Sequence, residues 1–284
     1  FGLEYKRYEN QHAEIYTTES SDRAFEEEVM LSGFGNAQVK GEGSGVSFDE
    51  AQETFTARYT HETVALAFAI TEEAIEDNLY DRLASRYTKA LARSMSNAKQ
   101  VKAVEPLIQG LPTTDNFDSG DGVSLFNTSH PTVSGTFANT LATQADLNET
   151  SLEQSMIDIA AMTDERGLRI AARGVKMIIP SELQFTAERL MKSQGRTGTA
   201  DNDVNAIVSM GMIPQGYRVN NYLTDSDAFY ILTDIPNGMK MFNRAPLTTA
   251  MEGDFDTGNV RYKARERYSF GVSDPRGIFG VEGA

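Results

Sequence analysis

The chain has 284 residues, 40% of them hydrophobic and 9% aromatic, enough apolar matter for one large or two ordinary domains and too much for wholesale disorder. It contains no Cys, which excludes disulfides, thiolate metal sites and Cys nucleophiles, and no apolar run near the ~18 residues that span a bilayer. With 26 basic against 41 acidic residues its net charge is −15, which on average repels nucleic acid, because affinity for it comes from neutralising phosphates with Lys and Arg.

Residues 1–62 hold 13 Asp/Glu against 5 Lys/Arg. Among them Tyr5, Tyr8, Tyr16 and Phe25 mix with charge in no clear period, and Glu26, Glu27 and Glu28 form an acidic run. The opening stretch therefore reads as an extended arm with one short helix. Charge alone makes it solvated and mobile; a sharper reading lays it on a basic surface of a neighbour. Gly33, Gly35, Gly41, Gly43 and Gly45 follow within thirteen residues, where φ > 0 is cheap and a hairpin tip or flexible loop fits. From Phe55 the period becomes two: Phe55, Ala57, Tyr59 and His61 share a face, the phase slips at Glu62 and Thr63, and Val64, Leu66, Phe68 and Ile70 share the next. Alternation predicts strand, with a bulge or bend at the slip. A strand pair with such a tip would project from its domain, since no nearby sequence covers it.

Thr71, Glu72 and Glu73 form a helix start, a capping hydroxyl followed by carboxylates that the helix dipole favours. Ile75, Leu79, Leu83, Tyr87, Leu91 and Met95 recur at i+4 until Pro106 stops the pattern. A helix over 71–104 would be about 50 Å long at ~1.5 Å per residue. Residues 111–150 are turn-rich, helical spacing resumes at Leu152, Met156, Ile159 and Ala160, and Val175 to Ile179 read as a buried strand ended by Pro180. Ser181 and Glu182 open a further helix through Met191, Gly195 to Asp203 read as a loop, and strands follow at Tyr217 to Tyr222 and Phe229 to Leu232. This alternation indicates an α/β domain. The tail from Phe255 is β-like: Val260, Tyr262, Ala264, Tyr268, Phe270 and Val272 have one parity, and Arg261, Lys263, Arg265 and Arg267 the other.

Candidate chemistry is thin. In Gly41-Glu42-Gly43-Ser44-Gly45 a dinucleotide fingerprint lacks its third glycine, replaced by Val46, and a strand rather than a helix follows. Asp115, Asp118 and Asp121 resemble a calcium loop only in part, because Phe117 occupies a ligand position and no Glu closes the pattern; Asp and Gly here are turn formers. His12, His61 and His130 are far apart, and His61-Glu62 lacks the second His of a zinc helix. No catalytic, metal or cofactor site is expected. Arg261, Lys263, Arg265 and Arg267 are the one stripe suggesting a partner, four cations on one strand face, with the acidic run Glu26 to Glu28 of a neighbour as a natural mate; a solvated face is the plain alternative.

The segment Leu125-Phe126-Asn127-Thr128-Ser129-His130-Pro131, with Gly135 and Asn139, resembles the major head proteins of tailed phages related to the Mu-type head subunit. The similarity continues through Asp164-Glu165-Arg166-Gly167, Lys176 to Pro180, Ala187 to Leu190, Asp203 to Ala206 and Tyr222 to Asp225. It closes on Arg267 to Gly271 and Asp274-Pro275-Arg276-Gly277, and so covers most of the chain from about residue 111 onward.

The resemblance implies an α+β capsid fold: an N-terminal arm over 1–36, an extended β-hairpin loop over 37–63, a peripheral domain over 64–111 and 236–284 with a spine helix over 71–104, and an axial α/β domain over 112–235. It further implies a non-enzymatic protein that self-assembles, as hexamers and pentamers, into an icosahedral head shell. That shell encloses double-stranded DNA without sequence-specific binding, and the portal and scaffolding or decoration proteins are further partners; no membrane is involved. In some relatives a loop Lys is joined to an Asn of a neighbour; Lys40 lies in the right region, but no partner Asn or catalytic carboxylate matches. Intersubunit contacts are expected from Glu26, Glu27, Glu28, Lys40, Phe48, Phe55, Tyr59 and the stripe Arg261, Lys263, Arg265 and Arg267. An encapsulin nanocompartment of the same fold is the alternative, and a soluble acidic hydrolase working through paired carboxylates is a remote one.

Overall fold

The computed structural model describes residues 1–77, 80–114, 116–195, 204–254 and 256–284, the side chains of 3 and 80–83 excepted. In chain order its elements are α1 (Gly2–Tyr5), β1 (Thr17–Ser20), β2 (Phe25–Leu31), β3 (Glu53–Thr60), β4 (Glu62–Ile70), α2 (Glu72–Glu76), α3 (Tyr80–Gln109), β5 (His130–Thr132), β6 (Gly135–Phe137) and α4 (Glu149–Ala161). They continue with β7 (Gly174–Ile179), α5 (Gln184–Lys192), α6 (Ala206–Ser209), β8 (Tyr217–Val219), β9 (Phe229–Thr233), β10 (Met239–Gly253), β11 (Val260–Val272) and β12 (Ile278–Val281). The chain divides into two units, one of residues 1–26, 59–105 and 241–270, the other of residues 27–58, 106–240 and 271–284.

The first unit is a four-stranded sheet in the order β1-β10-β11-β4 with α3 on one face. β4 and β11 pair antiparallel without a break from Val260 opposite Ile70 to Tyr268 opposite Glu62. Directly opposed residues share a face, so Tyr262, Ala264, Val64 and Phe68 turn together toward Leu91 and Met95 of α3. The opposite parity puts Arg261, Lys263 and Arg265 on the other face beside Ala69, Ala67 and Ala65.

The helix expected over 71–104 is divided. Thr71 Oγ1 accepts the Ala74 N–H (3.4 Å) to cap α2, and α3 carries the long run; Leu79 and the side chain of Leu83 lie outside the described residues. Leu91, Met95, Ala103, Val104 and Leu107 are buried, whereas Tyr87 is 43% exposed and makes a T-shaped contact with the Phe68 ring (5.6 Å). Pro106 does not stop α3, which runs on to Gln109. Pro removes one donor, but buried flanking residues hold the last turn, and the Gly110 N–H donates to the Pro106 carbonyl (3.1 Å). A Cβ at Gly110 would stand 2.5 Å from Leu125 Cβ, so only glycine fits this exit.

Residues 11–16 correct the reading of a solvated arm. His12, Ile15 and Tyr16 are buried; the His12 N–H donates to Gln100 Oε1 (2.9 Å) and the Tyr16 hydroxyl to the Ala103 carbonyl (2.6 Å). Rings interrupting a charged sequence are here the part that packs on α3.

The second unit holds a sheet in the order β12-β9-β7-β8, with β7 parallel to β8 and antiparallel to β9, and β12 antiparallel to β9. Its core joins Met156 and Ile159 of α4, Leu190 of α5, Met177 and Ile179 of β7, and Phe229 and Ile231 of β9. α4 begins at a capping box in which Asn148 and Ser151 exchange hydrogen bonds at 2.9 and 3.0 Å.

Three of the segments that carry the resemblance, 125–139, 164–167 and 274–277, meet in two buried polar clusters in this unit. Asn139, fully buried, donates to the Leu125 carbonyl (2.7 Å) and the Pro275 carbonyl (3.0 Å), and its Oδ1 accepts the Asn127 N–H (2.9 Å). That orientation leaves Oδ1 facing His130 Nε2 (2.9 Å), while His130 Nδ1 faces Asp121 Oδ2 (2.6 Å). Arg276 lies with Nη2 2.5 Å from Glu165 Oε1, Nη1 3.3 Å from Asp274 Oδ1, Nε donating to the Thr163 carbonyl (2.9 Å), and its guanidinium 4.2 Å from the Phe137 ring centre. Burial raises the Asp274 carboxyl above its ordinary value, with Arg276 opposing. Gly277 completes the turn because a Cβ there would stand 2.3 Å from the Gly238 Cα.

Two outcomes follow for the unassembled chain. Asn139→Ala strands several buried groups at once, each costing ~1–3 kcal/mol, so urea unfolding should report a loss of about 3 kcal/mol; a loss below ~1 kcal/mol would contradict the role given to this amide. Burial, helped by Lys99, pushes the His12 imidazole down from 6.5 to about 4. A depressed folded value means that the unfolded state binds the proton more tightly, so this stability is complete above the unfolded value. It is lost as pH falls toward the folded one, by about 3 kcal/mol in all. Stability measured from pH 7 down to 4 should therefore decline less steeply in His12→Gln than in the parent chain; parallel curves would rule out His12 as the source.

Candidate functional site

β2 and β3 form a two-stranded sheet, joined by residues 32–52, which form no regular element beyond one turn at Glu42 and Gly43. Its base is closed by the Ser32 N–H donating to the Gln52 carbonyl (2.8 Å) and the Gln52 N–H to Ser32 Oγ (2.9 Å). Asp49 accepts the Gly35 N–H (2.7 Å) and lies 2.8 Å from the Arg166 guanidinium. The Gly35 and Glu50 amides, with the Arg166 cation, hold its carboxyl below the ordinary value. β2, which the sequence placed in the arm, is thus one leg of the hairpin.

Apolar exposure concentrates here. Phe48 is 97% exposed, Val39 100%, Val46 68% and Phe34 61%. On β2, Phe25, Val29 and Leu31 share an exposed face. A two-stranded hairpin is marginal alone in water, and contiguous apolar exposure marks interaction surfaces. Sequence reasoning singled out Phe48, which is exposed, and missed β2, where the period-two signal of Phe25, Val29 and Leu31 was legible behind the run Glu26 to Glu28.

The other expected contact residues divide. Glu26 accepts from Ser21 Oγ (2.7 Å), Glu27 is 3.8 Å from Arg58 Nε, and Glu28 is 2.5 Å from the buried Lys240 ammonium. These acids are engaged within their own chain. Lys40 is exposed and Phe55 half-buried. Tyr59 is a correction: it is 2% exposed and packs edge-on to Phe242 (4.7 Å) in its own unit, so its apolar surface does not await a neighbour. Arg261 pairs with Asp254, Arg267 is half-buried, and Lys263 and Arg265 are exposed.

His61 separates β3 from β4, buried between Ser21 Oγ and Ser269 Oγ, both at 2.9 Å. Burial and Arg267 hold its imidazole below the ordinary value against the pull of Glu26. Asp118 accepts the Gly120 and Gly122 N–H groups (2.7 and 3.1 Å) and Asp121 accepts from Ser119 Oγ (2.6 Å) and faces His130, so these aspartates build the turn; Asp115 lies outside the described residues.

The phage capsid protein family matches residues 53–281 of this chain. Comparison with curated protein sequences gives no match. In fold the chain is similar to the capsid of Myoviridae phage XM1, at 12% identity and TM-score 0.54 over 95% of this chain and 89% of that one. It is similar to the capsid of a native GTA particle, at 13% identity and TM-score 0.57 over 96% and 89%. It also resembles the virus-like particle from Pyrococcus furiosus, at 10% identity and TM-score 0.53 over 99% and 95%. With fold and family in agreement, the chain belongs to the phage capsid protein family and is a structural, non-enzymatic subunit of the virion's head shell.

Proposed function

We propose that copies of this chain assemble as hexamers and pentamers into an icosahedral shell around double-stranded DNA, with the hairpin of β2 and β3 and its 32–52 loop seated on neighbouring copies. The observation that carries this reading is the exposure of Phe34, Val39, Val46 and Phe48 in one loop. Burying such a side chain is worth about 2 kcal/mol, and a shell repeats each contact at every copy. The GTA capsid was computed with C5 symmetry, which supports five-fold rings of such subunits.

In this reading the arm, expected over 1–36, ends before β2, the extended loop is the hairpin of β2 and β3 with residues 32–52, 64–111 and 236–284 are the peripheral domain and 112–235 the axial domain. The portal and scaffolding or decoration proteins join at the shell. The net charge of −15 suits a container that holds DNA without gripping it, since tight phosphate binding would stall packaging and release. Lys40, Lys263 and Arg265 are the cations placed to meet an acidic neighbour.

Replacing Phe34 and Phe48 together by Ser should abolish shells at protein concentrations where the parent chain forms them, with unit folding unchanged by circular dichroism; normal shells in negative stain would remove the loop from the interface. Arg265→Glu should weaken assembly and reverse its response to added salt. Sedimentation profiles matching the parent at every ionic strength would leave the stripe a solvated face.

A further inference from the structure

Between Asp81 and Glu105 the chain carries Arg82, Arg86, Lys89, Arg93, Lys99 and Lys102 and no carboxylate, in a protein of net charge −15. α3 sorts these cations by face. Lys99 turns inward to Glu266 (3.2 Å) and the ring of Tyr268 (4.9 Å), and Lys102 pairs with Glu62 (2.6 Å) and Glu105 (3.6 Å). Arg86, Lys89 and Arg93 remain on the exposed face at spacings of three and four, and none of them has an ion pair among the described residues. They span about 10 Å of helix axis at ~1.5 Å per residue.

Beside them runs a groove of about 550 Å³ lined by Tyr8, Lys89, Arg93, Ser94, Asn97 and Glu4. Glu4, the one carboxylate of that lining, lies 3.8 Å from Arg7. The remaining polar groups are hydroxyls and an amide, donors that suit phosphate oxygens.

We infer that this face of α3 is the surface on which each subunit meets the phosphate backbone of duplex DNA. The inference rests on the proposed function for the presence of that DNA. Duplex DNA presents one charge per ~1.7 Å of axis, so about six phosphates lie along the ~10 Å that three cations cover. Each copy neutralises about half of them, a weak and sequence-blind contact that repeats across a shell without locking the duplex. The acidic run of a second copy fits less well, because Glu26, Glu27 and Glu28 each have a partner within their own chain.

The test is fluorescence anisotropy of a short mixed-sequence duplex with the unassembled full chain, between ~50 and ~200 mM salt. The slope of log K against log salt should lie near −2.7, at ~0.9 per neutralised phosphate. In Arg86→Ser/Lys89→Ser/Arg93→Ser it should fall close to zero, with binding at least ~10-fold weaker at ~50 mM salt. Lys263→Ser/Arg265→Ser should bind DNA like the parent. Should the triple variant not fold, Lys89→Ser/Arg93→Ser should still lower the slope by ~1.8. Unchanged DNA binding in the α3 variants overturns the inference, as does tighter binding of a peptide copying residues 21–31 than of the duplex. Parent chain that forms shells yet never binds duplex removes this inference alone; parent chain that forms no shells removes the proposed function instead.

Discussion

The constraint on which the rest depends is that residues 25–48 carry apolar side chains the chain leaves uncovered. Phe48 and Val39 are essentially bare, and Phe25, Val29 and Leu31 line an exposed strand face. Conformational entropy opposes ordering such a segment, and two strands bury too little to offset it. The missing burial has to come from outside the chain. In a family whose members build shells, the available surface is another copy. Function here is a property of interfaces, and among the described residues the aspartates and histidines singled out for chemistry build turns and buried hydrogen bonds.

The same division of labour appears in the polar groups. In the second unit polar groups are buried against one another: Asn139 joins residues 125, 127, 130 and 275, and Arg276 joins 163, 165 and 274. Breaking one partner of such a cluster is costly because the others are left buried. The net charge of −15 makes the field of the subunit repulsive to anions on average, while exposed cations line up along the outer faces of α3 (Arg86, Lys89, Arg93) and of β11 (Arg261, Lys263, Arg265).

Legibility in the sequence followed the range of the interaction. α3, α4 and β7 were readable because i+4 spacing or a short apolar run ended by Pro180 is a local signal. β11 was readable from strict alternation, and its burial follows that parity from Val260 to Glu266. β10 was not, because Met239 to Gly253 contains Pro246 and alternates poorly, its inner half buried on both parities. Tyr59 was assigned outward because its partner Phe242 lies far along the chain. His12 and Tyr16 had a covering surface on α3 that no local pattern announces. The basic face of α3 was overlooked because apolar spacing was read there and charge was not. Gly195 to Asp203, Leu79, Asp115 and Phe255 fall wholly or largely outside the described residues.

The most direct measurement of the central claim is sedimentation velocity of the purified full chain across a wide concentration series, with electron microscopy of each boundary and hydrogen exchange of residues 25–52. The account predicts uniform polyhedral particles or capsomer rings above a threshold concentration, with exchange in 25–52 slowing only in those particles. A chain that sediments as a monomer throughout, with that segment already protected, would contradict it.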